Sequence, residues 1–126
     1  MADIDILNIE PNKISRDLKG KYVLIYGDPK SGKTTLASQF PKSLLCAFEI
    51  GYHALPGIKA VDITKWSYFK RVCKQLKTEE ARATYDTVIV DTIGIAIDMC
   101  EKYILSVNSV DSLSEVAWGW NSFAPL

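Results

Sequence analysis

Gly27-Asp28-Pro29-Lys30-Ser31-Gly32-Lys33-Thr34 fits the pattern G-x-x-x-x-G-K-[ST] at every position, and Thr35 extends it. The flanks agree. Lys21 to Tyr26 is a short apolar run, rich in β-branched and aromatic residues, and reads as a buried strand. Thr34 to Phe40 is helix-compatible and stops at Pro41, which cannot continue a helix. Strand, glycine loop and helix in that order make a cradle for phosphate. Gly27 and Gly32 permit dihedrals and close approaches that a Cβ would block. The loop then turns its N–H groups inward as an anion nest, and the start of the helix adds unpaired amides. Lys33 supplies a mobile ammonium for phosphate oxygens, and the Thr34 hydroxyl is a hard oxygen ligand suited to Mg²⁺.

Two further apolar runs give this loop a sheet to stand on. Ser43 to Phe48 is nearly continuous in apolar character, as in a parallel strand covered on both faces, and it ends at Glu49. A carboxylate at that end of a strand lies where open α/β sheets bind ligands, so Glu49 is a candidate for orienting or deprotonating water. Tyr85 to Thr92 carries Val88-Ile89-Val90 and then Asp91. A buried strand ending in an acid, downstream of such a loop, delivers Asp91 beside an ion carried by Thr34.

Composition sets the class. The chain has 126 residues, 48% of them hydrophobic and 24% charged, which is globular composition and enough for one domain. Fifteen basic and fifteen acidic side chains cancel, so no overall basic field announces nucleic acid or an anionic membrane. Cys46, Cys73 and Cys100 are widely spaced in apolar surroundings and predict reduced core thiols. With one histidine, His53, no zinc ligand set is expected. The N-terminus lacks a signal-peptide layout, and no run reaches the ~20 apolar residues needed to cross a bilayer. A cytoplasmic protein is expected.

The remaining stretches organise around these three runs. Residues 1–20 form a lead-in segment in which Ile4 and Ile6 alternate with aspartates, an edge strand or strap. Residues 21–126 are expected to be the domain proper. Lys59 to Ile63 suggests a brief strand. Trp66, Phe69, Val72, Cys73 and Leu76 recur at helical spacing over 64–77, with lysines on the opposite face. Interleaved aromatics and lysines suit nucleic acid, but here the aromatics lie on the stripe expected to be buried. Glu79 to Ala83 reads as a charged connection, and 94–108 as a second amphipathic helix. A serine-rich loop then leads into Glu115 to Trp120.

The loop and the strand-borne Asp91 form a Walker A and Walker B pair, that of P-loop NTPases. No Asn-Lys-x-Asp motif supports guanine recognition, and Thr92 stands where many AAA+ proteins and helicases carry a glutamate. The segment Phe48-Glu49-x-Gly51 and the run Val88-Ile89-Val90-Asp91-Thr92 instead resemble phage-type ATP-binding proteins of the RecA-like, AAA-domain kind, associated with recombination and single-strand annealing. The resemblance implies an α/β, three-layer core with a mostly parallel sheet. It implies ATP and Mg²⁺ as ligands, and single-stranded DNA or a recombination or replication protein as partner; an oligomer is left open. Residues 27–35 would bind nucleotide. Lys33 would act on the phosphates, Thr34 and Asp91 on the metal, and Glu49 as base.

RecA-like cores continue into two more strands. One bears a polar sensor residue and lies between the Walker A and Walker B strands. No strand-like run follows residue 108, so the resemblance implies the N-terminal part of such a core, with a central sheet position vacant. Arg16, Arg71 and Arg82 are arginine-finger candidates by residue type alone. ATP hydrolysis coupled to phage DNA recombination or replication is the leading expectation. The alternatives are a nucleotide or small-molecule kinase, and an ATP-binding switch or truncated regulator that does not hydrolyse.

Overall fold

The computed structural model describes residues 4–14, 17–112 and 114. The stretch Glu115 to Trp120 and the candidate Arg16 lie outside the described residues. Among the described residues seven elements follow one another: α1 (Lys33–Ser38), β1 (Ser43–Ala47), β2 (Lys59–Asp62), α2 (Trp66–Leu76), α3 (Glu79–Thr84), β3 (Thr87–Asp91) and α4 (Ile93–Asn108). The strands form one parallel sheet in the order β2-β1-β3. This is the α/β core with a parallel sheet expected from the sequence, in its incomplete form.

The central place of β1 follows from its composition. Leu45 and Ala47 alternate with Cys46 along the strand, and all three are buried, so both faces of β1 are covered. Cys46 and Phe48 join Ile63 and Ala96 in the main core cluster, packed against Trp66, Phe69 and Val72 of α2, with Val90 of β3 and Met99 of α4. The ring of Phe48 meets Phe69 edge-on at 5.1 Å and Trp66 at 6.5 Å. The aromatic stripe of α2 is thus a packing face, as its spacing predicts. Cys100 and Ile104 extend the core along α4, under Trp66 and Leu105. All three cysteines are free, Cys46 and Cys100 buried and Cys73 partly so.

Three expectations are corrected. Lys21 to Tyr26 forms no strand, and Tyr22, Val23, Leu24 and Tyr26 are exposed. A strand exists only with a ladder partner, and among the described residues nothing pairs with this run; β3 ends the sheet on its far side. Ile4 and Ile6 likewise form no strand; a turn runs through Ile6 and Leu7, where Asp5 accepts hydrogen bonds from the Leu7 amide and the Asn8 side chain. Glu79 to Ala83 is not a connection but most of α3. Thr78 caps it, its hydroxyl accepting from the Ala81 amide at 3.2 Å, and Glu79 and Glu80 occupy the first turn where the helix dipole favours acids.

Candidate functional site

Parallel register brings the acids together. Ala47 of β1 pairs with Asp91 of β3, and the Phe48 amide donates to the Asp91 carbonyl at 2.8 Å. Glu49 and Thr92 therefore leave the sheet side by side at the same edge. Asp91 and Thr92 are joined by a cis peptide bond. The Thr92 hydroxyl lies 2.5 Å from Glu49 Oε2 and 2.9 Å from Asp91 Oδ1.

The glycine loop reaches the same edge. Gly32 takes the left-handed conformation, φ 95°, immediately before α1, and Lys30 is left-handed at φ 61°. The turn is closed by the Ser31 amide donating to the Asp28 carbonyl. Gly27 sits where a Cβ would come 3.1 Å from Ser31 Oγ. The Lys33 ammonium folds back over the loop and donates to the carbonyls of Gly27 and Asp28, each at 2.7 Å. The next residue crosses to the sheet: Thr34 Oγ1 donates to Asp91 Oδ2 at 2.5 Å, across 57 residues of sequence and partly buried.

Thr34, Asp91, Thr92 and Glu49 thus form one continuous chain of hydrogen-bonding side chains, with Lys33 on the adjoining loop. Pro29, Lys30, Ser31 and Thr35 are exposed. Glu49 is also exposed, at the start of a connection that Tyr52 anchors by donating to Asp62 Oδ1 at 2.6 Å. That bond to a carboxylate holds the Tyr52 phenol above its ordinary range. His53 stacks on Tyr52 at 4.6 Å and is exposed, outside the carboxylate chain. Arg71 lies over the Tyr68 ring of its own helix, and Arg82 is in the last turn of α3.

The chemistry of the donors suits a hard divalent cation. A hydroxyl has one proton and two lone pairs, so Thr34 can donate to Asp91 and still offer oxygen to a metal. Mg²⁺ takes few protein ligands and keeps several waters. Among the described residues no group of three or more His, Cys, Asp or Glu side chains is placed to hold a metal. An apolar hollow of about 190 Å³ beside Val90 and Ile93 is lined by Trp66, Phe69 and Cys100 and carries no charged group. Sequence reasoning missed Thr92, whose one visible signal was a hydroxyl residue directly after Asp91.

The family model described as an AAA domain matches residues 19–124. The chain belongs to the AAA-domain family. This AAA domain is also 32% identical over 114 residues to the SPbeta prophage-derived uncharacterized protein YorG of Bacillus subtilis (strain 168), covering 89% of this chain. It spans 35% of the length of that relative. No solved structure matches it significantly. Membership of the family carries nucleotide binding of the ATPase type, on a P-loop NTPase core. Among the described residues of the AAA domain, no helix is long and apolar enough to cross a membrane.

Proposed function

We propose that this AAA domain binds ATP with Mg²⁺ and hydrolyses it, and that in phage biology the hydrolysis serves DNA recombination or replication. The observation that supports this most is the 2.5 Å bond from the Thr34 hydroxyl to the Asp91 carboxylate. A residue of the glycine loop and the terminal acid of the half-buried strand β3 meet there as two hard oxygen donors. The amides of residues 27–35 cradle the phosphates. The Lys33 ammonium, which now rests on two loop carbonyls, exchanges them for phosphate oxygens when nucleotide enters. Thr34 and Asp91 hold Mg²⁺, which when bound neutralises charge developing on the phosphate oxygens. Glu49 orients a water and takes its proton as the water oxygen bonds to the γ-phosphorus and the bond to the bridging oxygen breaks. The part of this reading that concerns DNA rests on the resemblance of the Phe48-Glu49-x-Gly51 segment to RecA-like proteins.

Phosphate release, measured with and without single-stranded DNA, tests this reading. Mg²⁺-dependent turnover is expected, stimulated by single-stranded DNA. Lys33→Ala is expected to weaken ATP binding about tenfold or more, and Glu49→Gln to spare binding while lowering turnover about 100-fold or more. Binding without turnover would leave an ATP-dependent switch, and phosphate transfer to nucleosides a kinase.

A further inference from the structure

Thr92 occupies the cap position of α4, where a threonine hydroxyl ordinarily accepts a hydrogen bond from the first turn and stabilises the helix. Here the hydroxyl makes no such bond. The backbone carbonyl of Thr92 does the helical work, accepting from Ala96 at 3.1 Å, while the side chain faces two carboxylates. An exposed helix start has thus given up a stabilising contact in favour of two acids at the ends of neighbouring strands. Helix formation does not explain that choice.

The hydroxyl has a single proton to give. Asp91 Oδ1 at 2.9 Å and Glu49 Oε2 at 2.5 Å both lie within reach of it, and it serves one of them at a time. A cation on Asp91 takes over part of the positive charge that this carboxylate otherwise draws from hydroxyl donors. The Thr92 proton is then free for Glu49.

We propose that Thr92 is a positioning residue, held between Asp91 and Glu49, that fixes the Glu49 carboxylate and couples its placement to metal and nucleotide at Asp91. The inference rests on the reading of Glu49 and Asp91 given above. It assigns to the residue after the strand-end acid a role in orienting a base that stands just beyond the end of the neighbouring strand. Glu49 is exposed, and a single rotatable hydroxyl is its contact to the metal side of the site.

The test compares Thr92→Val, which keeps the shape and removes the hydroxyl, with Thr92→Ser, which keeps the hydroxyl. In Thr92→Val, kcat is expected to fall about 10- to 100-fold, with KM for ATP within about threefold and an unchanged melting temperature. Thr92→Ser is expected to keep kcat within about threefold. On the Glu49→Gln background, Thr92→Val is expected to add less than about a twofold loss, because the group it positions is already disabled. A second arm needs no turnover. With ¹³C-labelled glutamate carboxyls, the Glu49 signal (assigned by its loss in Glu49→Gln) is expected to shift when Mg²⁺ and a non-hydrolysable ATP analogue are added, and to stay still in Thr92→Val. A kcat in Thr92→Val close to wild type overturns the proposal, as does an equal loss on both backgrounds, or a Glu49 signal indifferent to ligand or to Thr92. A wild-type chain that releases no phosphate fails the hydrolytic reading in its own right, and the carboxyl signal then decides the role of Thr92.

Discussion

Ala47 and Asp91 lie opposite each other at the ends of two parallel strands. Their register carries the rest of the site. A shift of one residue would turn the Asp91 side chain to the other face of the sheet. Thr34 and Glu49 would lose their common neighbour.

Asp91→Asn tests the charge at that position. The amide keeps an oxygen for the Thr34 hydroxyl and loses the negative charge that would attract a metal. The Mg²⁺ concentration for half-maximal turnover is expected to rise about tenfold or more, with ATP affinity in chelator unchanged. A Mg²⁺ titration of phosphate release, paired with fluorescent-nucleotide binding, reads both quantities. An unaltered Mg²⁺ dependence would take Asp91 out of the metal's shell.

Gly32 and Gly27 are required for different reasons, and two alanine substitutions separate them. At Gly32 nothing lies within 4 Å of an added Cβ, but φ is 95°, so Gly32→Ala is strained through the backbone by about 1–2 kcal/mol. At Gly27 the Cβ would meet Ser31 Oγ at 3.1 Å, a contact that removal of that oxygen relieves. Thermal melts are expected to show both single variants destabilised, with Ser31→Ala rescuing Gly27→Ala and leaving Gly32→Ala as it was. Rescue of both, or of neither, would contradict the loop geometry.

Phe48 joins the site to the core. It is buried between Trp66 and Phe69, one residue before Glu49. Phe48→Ala is expected to cost about 3–5 kcal/mol, a large share of the stability of a domain this size. Denaturant unfolding should show the loss, and near-UV circular dichroism should show the tryptophan and phenylalanine environment relaxing. A loss below about 1 kcal/mol would mean that the aromatic cluster is not the core.

The sequence made some of this legible and hid the rest for physical reasons. Ser43 to Phe48 announces a strand because burial on both faces writes a continuous apolar run, and Thr87 to Asp91 does so through its β-branched residues although it is only half-buried, with Val88 exposed. The stripe from Trp66 to Leu76 announces α2 because one face of it is packed. Lys21 to Tyr26 has the same apolar signature as β1 and forms no strand, since a strand also needs a neighbour, and composition is silent about neighbours. α3 was hidden because five of its six residues are exposed and show no apolar stripe; Thr78 followed by two glutamates was the signal to read. The loop residues and Asp91 could be picked out one by one. The contact of Thr92 with Glu49 could not, because it depends on where two strands end relative to each other.

Cys46 gives the alkaline limit of the fold. It lies in the central strand between Val61 of β2 and Val90 of β3, fully buried. Desolvation, with a smaller contribution from Cys73, pushes its thiol up to about 11 from the ordinary 9.0. Below pH 9 the thiol is neutral in both folded and unfolded chains, and its contribution to stability is complete. Between 9 and 11 the unfolded chain releases this proton and the folded chain keeps it, so stability falls as pH rises. Urea midpoints measured from pH 8 to 11 are therefore expected to decline. In Cys46→Val, which fills nearly the same space without an ionisable group, the decline is expected to be shallower. Burial raises Cys73 and Cys100 in the same direction, so some slope should persist. Equal slopes in the two proteins would show that Cys46 does not carry the alkaline loss.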